Sequence, residues 1–244
     1  MINLKNKNSW YNYQMNYYKK EALEHEKDSH YFYYLLNLLL REFRNVKKNC
    51  KIMEIGCNDG RYTIPILKRG FNMYAIDISL ESLVNLKRIS AIEQMLNQLK
   101  IINMDIESCA LKNMDFIFCC QVLHHVYDLD NVAKNIYSSL NKGGKFVCLE
   151  SNPLSIFWYI HFLLVGFKKK GKWAAERKIL NCTKKNLIRV FKNAGFSEVK
   201  IENHMFFPPQ IINIISSFLR LEPIFTKVPF LNRFLSFHLL EAVK

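Results

Sequence analysis

The sequence predicts an α/β chain: a mostly parallel sheet with helices on both faces. Three observations predict it. Five short apolar runs alternate with helical patterns between residues 51 and 150, and strand–helix–strand repeats imply parallel strands with right-handed crossovers. The first run, "KIMEI", enters a glycine-punctuated turn, "GCNDG", that opens into a helix. Beyond residue 152 the alternation stops and two further strand candidates remain, separated by a long apolar excursion.

In chain order, residues 9–48 read as helix, crowded with tyrosines and ending in a Leu-rich amphipathic stretch. Strands are predicted at Lys51–Ile55, Asn72–Ile76, Lys100–Asn103, Asp115–Cys120 and Lys145–Glu150. Helices are predicted between them at Tyr62–Arg69, Leu80–Gln98 and Asp130–Leu140, with "NKGG", Asn141–Gly144, as the turn into the fifth strand. A helix over Lys184–Ala194 closes on Gly195 as a C-cap. "SEVKIENHMFF" gives a sixth strand and "LSFHLLEAVK" a seventh. Without repeats or low-complexity linkers, the expected organisation is a helical cap over 1–48 and one domain over 49–244. That domain carries insertions at about 153–180 and 207–235.

Half of the 244 residues are hydrophobic and 23% are charged, which excludes a disordered chain. The formal net charge is +14, and residues 168–200 hold eleven Lys/Arg against Glu176 and Glu198. Such a block suits an anionic partner or a solvated face. The apolar stretch Pro153–Phe167 has 15 residues, short of the roughly 20 that span a bilayer. Seven cysteines lack any C-x-x-C pair and no export signal opens the chain, so the expectation is a reducing, cytoplasmic setting without structural zinc.

A glycine-rich turn after a first strand holds its ligand against backbone N–H groups and the next helix. Gly56 and Gly60 are expected to let the chain turn tightly and approach that ligand. Here Glu54 precedes the turn. A carboxylate repels a pyrophosphate and suits an ammonium group, so the turn points to an amino-acid–nucleoside conjugate rather than a dinucleotide.

Glu54-Ile55-Gly56-Cys57-Asn58-Asp59-Gly60 resembles the first motif, [DE]-x-G-x-G-x-G, of the class I S-adenosylmethionine-dependent methyltransferases. The resemblance continues in order through "YAIDIS", "NMDIES", "DFIFCCQVLHHVYD" and "LNKGGKFVCLESNP", from about Lys51 to Asn152. It implies a Rossmann-like seven-stranded sheet whose last strand is antiparallel, with S-adenosyl-L-methionine as cofactor. It also implies that Glu54, Gly56, Cys57, Asn58 and Gly60 form the cofactor turn. Asp77 would bind the ribose hydroxyls, Ile78 would pack on adenine, and Asp105 with Ile106 would meet the adenine edge. Gln121 would line the cleft. Asn58 stands where the middle glycine is usual, and Lys142 where proline is common; Asn tolerates positive φ.

Methyl transfer from a sulfonium needs alignment and a deprotonated nucleophile. His124 and His125, just past the fourth strand, are the candidate general bases, with His125 favoured, since neutral imidazole titrates near pH 6.5. Tyr11, Tyr13, Tyr17 and Tyr18 are candidates for a lid over the cofactor's methionine end. The acceptor is expected to be a small molecule, hydrophobic or lipid-linked, like the quinone-type, glycan and secondary-metabolite acceptors of similar enzymes. The apolar insertions would then wrap the acceptor, pair two subunits or lie on an anionic membrane, with Lys168, Lys169, Lys170 and Lys172 facing the lipid. Two other readings remain open at this point. One is an RNA methyltransferase, prompted by the charge, although no N-P-P-Y/F motif follows the fourth strand. The other is a non-catalytic, membrane-peripheral binding protein of the same fold.

Overall fold

The computed structural model describes residues 7–13, 29–155, 157, 177–207 and 209–244. Tyr17, Tyr18 and the cluster Lys168, Lys169, Lys170 and Lys172 lie outside them, as does most of the 153–180 insertion.

Helix α1, His30–Glu42, starts where the Ser29 hydroxyl accepts the Phe32 amide. Its buried stripe, Phe32, Leu35, Leu36 and Leu39, recurs at helical spacing. The sequence suggested one helix across 9–48. Among the described residues, 7–13 are helical, Ser29 caps the start of α1, and α1 stops at Glu42, with turns from 43 to 50 leading into the sheet.

All seven strands form: β1 Ile52–Ile55, β2 Met73–Asp77, β3 Leu99–Asn103, β4 Met114–Cys120, β5 Leu140–Ser151, β6 Glu198–His204 and β7 Phe237–Val243. They order as β3-β2-β1-β4-β5-β7-β6. The first five pair in parallel, and β7 runs antiparallel to both β5 and β6. Strand order reverses between β1 and β4, and a ligand crevice opens outside the carboxyl ends of the strands at such a switch point.

Between the strands lie α2, Thr63–Leu67, α3, Leu80–Ile92, α4, Leu129–Ser139, and α5, Lys184–Asn193. The helix expected over Leu80–Gln98 is shorter: the chain leaves α3 through Gln94 at φ 57° and makes a separate 3-10 turn at Leu96–Gln98. "NKGG" is absorbed into β5 as an irregularity. Leu140 faces Met114 and Lys145 faces Phe116, and the residues between bulge out of the ladder.

Two apolar layers sandwich the sheet. One contains Val132, Ala133 and Ile136 of α4 with Leu187, Val190 and Phe191 of α5. The other contains the α1 stripe with Ile66, Leu67, Leu83 and Leu86. Burying one such leucine contributes about 1.5–3 kcal/mol, so the helices are held by the sheet more than by their own propensities. From β6 to β7 the chain makes an excursion of short helices: α6, Pro209–Ile214, a 3-10 turn, Ser216–Leu221, α7, Glu222–Lys227, and α8, Pro229–Asn232.

Candidate active site

The turn after β1 is built by hydrogen bonds to β2. The amides of Gly56 and Cys57 both donate to the Ile76 carbonyl, at 2.8 and 3.2 Å. Gly56, Asn58 and Gly60 all have positive φ, at 70°, 48° and 96°. The glycines serve packing here as well as conformation. A Cβ on Gly56 would lie 2.4 Å from a Val122 methyl, and one on Gly60 2.5 Å from a Leu86 methyl. Asn58 holds a left-handed conformation that asparagine tolerates, and its amide donates to Asp77 Oδ2 at 2.9 Å. The departure from the usual middle glycine is therefore absorbed in the turn.

Asp77 ties two loops together, because its Oδ1 also accepts the Ser79 amide at 2.8 Å. Burial raises its pKa, against the amides of Ser79, Asn58 and Ile78. Glu54 is 2% exposed and accepts the Thr63 hydroxyl at 2.5 Å. Burial pushes its pKa up to about 8, with Thr63 opposing and the Asp77 charge adding to the rise. A carboxyl held in this state exchanges its proton readily for a ligand's cation.

Asp105 caps a 3-10 turn by accepting the Glu107 amide at 2.8 Å, and Lys7 reaches it at 2.6 Å. Beside it Glu107 accepts the Tyr127 and Asp128 amides and the Tyr11 hydroxyl. Tyr11 thus docks beside Glu107 and Asp105, and burial, then the Glu107 contact, raises its phenol pKa. Trp10, fully buried, donates from its indole to the His125 carbonyl at 2.6 Å. Residues 7–13 consequently lie against the ends of β3 and β4. Ile78 is half-buried at the cleft. The side chains of Cys57 and Ile106, 2% and 5% exposed, pack into the core, so what they offer a ligand is backbone.

At the end of β4, Gln121 turns at φ 59° and its Oε1 accepts the Ser151 hydroxyl at 2.6 Å. Its Nε2 is buried and has no hydrogen-bond partner among the described residues, and the same holds for Nε of Arg61. The Arg61 guanidinium rests on the Phe32 ring, 4.7 Å from its centroid. A buried N–H without an acceptor costs about 1–3 kcal/mol, which a ligand oxygen would recover. Two orphaned donors and three strand-end acids fit a zwitterionic nucleoside such as S-adenosylmethionine: acceptors for its ammonium, diol and amino group, donors for its carboxylate.

The two histidines differ. Nδ1 of His124 lies 2.6 Å from Glu150 Oε1, with both side chains buried. Glu150 also accepts the amides of Leu123 and Ser151, each at 2.8 Å. A neutral His124 that donates from Nδ1 carries its lone pair on Nε2. The His125 ring lies 3.7 Å from it between centroids, tilted by 53°, and burial first, then His124, lowers its pKa well below the ordinary value. Glu150 and Arg61 escaped the sequence reading. A lone carboxylate closing the apolar run "FVCLES" was the available signal for the former; nothing local marks the latter.

Comparison with known proteins agrees with this geometry. Residues 53–146 match the family model described as a methyltransferase domain. The demethylmenaquinone methyltransferase of Geobacillus sp. (strain WCH70) is 24% identical over 181 residues, 66% of this chain and 77% of that protein. The ubiquinone biosynthesis O-methyltransferase of Pelagibacter ubique is 23% identical over 169 residues, 64% of this chain and 68% of its own. Among solved structures, a SAM-dependent methyltransferase from Thermotoga maritima superposes with a TM-score of 0.62 at 17% identity, covering 96% of this chain and 99% of that one. These matches support an enzyme of the class I S-adenosylmethionine-dependent methyltransferase type: residues 53–146 match a methyltransferase domain, and the seven-stranded, mostly parallel sheet is the fold its structural neighbours share.

Proposed function

We propose that the enzyme methylates a small hydrophobic acceptor, of the quinone or phenol kind on which its named relatives act. The observation that carries this reading is the grouping of Tyr31, Tyr62 and Cys120 within electrostatic reach of one another and of Arg61, with Tyr62 buried and the other two half-buried. Burial pushes the Tyr31 phenol pKa up to about 12. Burial likewise raises the Tyr62 phenol and the Cys120 thiol well above their ordinary values. Groups this desolvated favour an acceptor that arrives without a hydration shell.

In this reading Glu54 takes the cofactor's ammonium, Asp77 its ribose diol and Asp105 its adenine amino group, once Lys7 yields that carboxylate. Gln121 and Arg61 donate to its carboxylate, while Gly56, Cys57, Asn58 and Gly60 shape the turn. Ile78 covers one face of the base, and Ile106 supports the Asp105 turn from the core. When bound, the cofactor supplies an electrophilic methyl on sulfur. His124, oriented by Glu150, accepts the acceptor's proton at Nε2. His125, kept neutral by burial, adjoins His124 and is the second candidate for that proton.

The test is calorimetric titration with S-adenosylmethionine, followed by transfer of labelled methyl into a lipid extract and a total RNA fraction. Asp77→Ala removes two backbone-bonded carboxylate oxygens and the diol's acceptor. Charged hydrogen bonds contribute about 1.5–3 kcal/mol each, so affinity should fall roughly a hundredfold. Label is expected in the organic phase. Label confined to RNA, with salt-sensitive RNA binding, would sink the small-molecule reading.

A further inference from the structure

The excursion between β6 and β7 is firmly seated on its inner side. Glu222, 4% exposed, accepts the amides of Met205 and Phe206 at 2.9 and 2.7 Å. Phe206 stacks on Phe225 at 4.0 Å and Phe207 on Phe218 at 4.7 Å between centroids. The Asn213 side chain accepts the Tyr31 amide at 3.0 Å and ties the excursion to α1.

Its outer side has the opposite character. Ile214 is 82% exposed, Phe230 66% and Ile224 58%, with Ile215 and Val228 also open to solvent. Residues so apolar seldom cluster on a free surface without a function. Exposed Arg220, Lys227 and Arg233 lie among them, and the one acid of residues 205–236 is the buried Glu222. Arg233 continues the pattern inward. Its guanidinium lies 5.8 Å from the Phe230 ring, and it borders a cavity of about 490 Å³ whose walls include Leu154 and Ile188 and whose cations are Lys184 and Lys185.

We propose that this lobe, α6 to α8, docks the enzyme on a lipid bilayer that carries anionic lipids. Short helices with apolar side chains framed by Lys and Arg are the chemistry of an interfacial anchor. The charge decides against a second copy of the chain: an isologous contact would set three unneutralised cations against three more. No helix among the described residues is long and apolar enough to cross a membrane, so attachment is from one side. The inference rests on the hydrophobic-acceptor reading for its purpose, since a docked enzyme can take its acceptor from the bilayer.

The experiment is flotation of the full chain with phosphatidylcholine vesicles, with and without phosphatidylglycerol. Ile224→Asp/Phe230→Asp and Arg220→Ser/Lys227→Ser serve as variants, and the cofactor titration and thermal melt of each are measured alongside. The wild type should float with the anionic vesicles and release at high salt. Binding should fall about fivefold for each cation removed and be abolished by the two aspartates, with cofactor affinity unchanged. No flotation, or flotation unaffected by the aspartates in folded protein, overturns the docking face and leaves the methyltransferase reading standing. A dimer that Phe230→Asp dissociates in sedimentation velocity overturns it in favour of a subunit interface. Loss of cofactor binding in the wild type would instead break the functional reading itself.

Discussion

The two halves of the sheet's carboxyl edge satisfy their polar groups in different ways. At the β1–β3 end, most partners are close by in sequence: Asp105 holds an amide two residues on, Glu54 a hydroxyl nine residues on, Asp77 an amide 19 residues back, although Lys7 also reaches Asp105 from the N-terminal segment. At the β5–β7 end the partners are remote. Glu150 and His124 are 26 residues apart, His238 and Asn203 35, and the Asn152 amide donates to a carbonyl 83 residues away. The half that carries the glycine turn is shaped largely by local turns, whereas the other exists only once β5, β6 and β7 have assembled. A turn can be inherited unchanged between enzymes with different acceptors, and a long-range network can be rewired without disturbing it.

The largest expected effect falls on the remote half. Glu150→Ala leaves two amides and an imidazole without their buried acceptor, so a loss of about 3–5 kcal/mol is expected. For a chain of this size that lowers the melting temperature by about 10 °C. An unchanged melt would show that the Glu150 network forms no part of the assembled half and erase the contrast.

A smaller effect is expected in the local half, through pH. Free Glu54 takes up a proton near pH 8, and a ligand ammonium binds the ionised carboxylate. Binding therefore releases a proton, and affinity should weaken about tenfold for each pH unit below 8. Above that value the ligand's own α-ammonium, with a pKa of about 8, is lost, so affinity should peak there. Calorimetry in buffers of different ionisation enthalpy reads the released proton, and Glu54→Gln should flatten the dependence. A flat wild-type profile would sever Glu54 from the ammonium.

These differences explain what could be read from the chain alone. The strands, the glycine turn and the acids in β1, at the end of β2 and just past β3 are written in short motifs, because backbone geometry restricts residues locally. The Glu150–His124 pair was half visible: the histidines stood out and their partner did not, since pairing across β4 and β5 is a tertiary fact. The end of α3 at Ile92 was missed because Gln94 carries the left-handed turn that glycine usually marks. The docking of Tyr11 beside Glu107 was not legible, as nothing in its helical spacing says where residues 7–13 dock.

The smallest expected effect concerns Asn58. Its φ of 48° already suits the turn, so Asn58→Gly trades relief of slight strain against a more flexible unfolded chain. Cofactor affinity should stay within about threefold and stability within about 1 kcal/mol. A large gain in affinity would mean that the local half is strained after all.

The indole of Trp10 adds a practical consequence. It is sealed from water, its N–H bonded to the His125 carbonyl and the Lys178 ammonium lying 4.8 Å from its ring centroid. It sits on the same short segment as Lys7, whose ammonium lies 2.6 Å from the Asp105 carboxylate. Any lifting of that segment moves the fluorophore from a dry, charged surrounding into solvent and shifts its emission to the red. Of the three tryptophans in the sequence, Trp10 thus reports the docking of this segment, and stopped-flow mixing could follow it in a variant whose other two are replaced by phenylalanine.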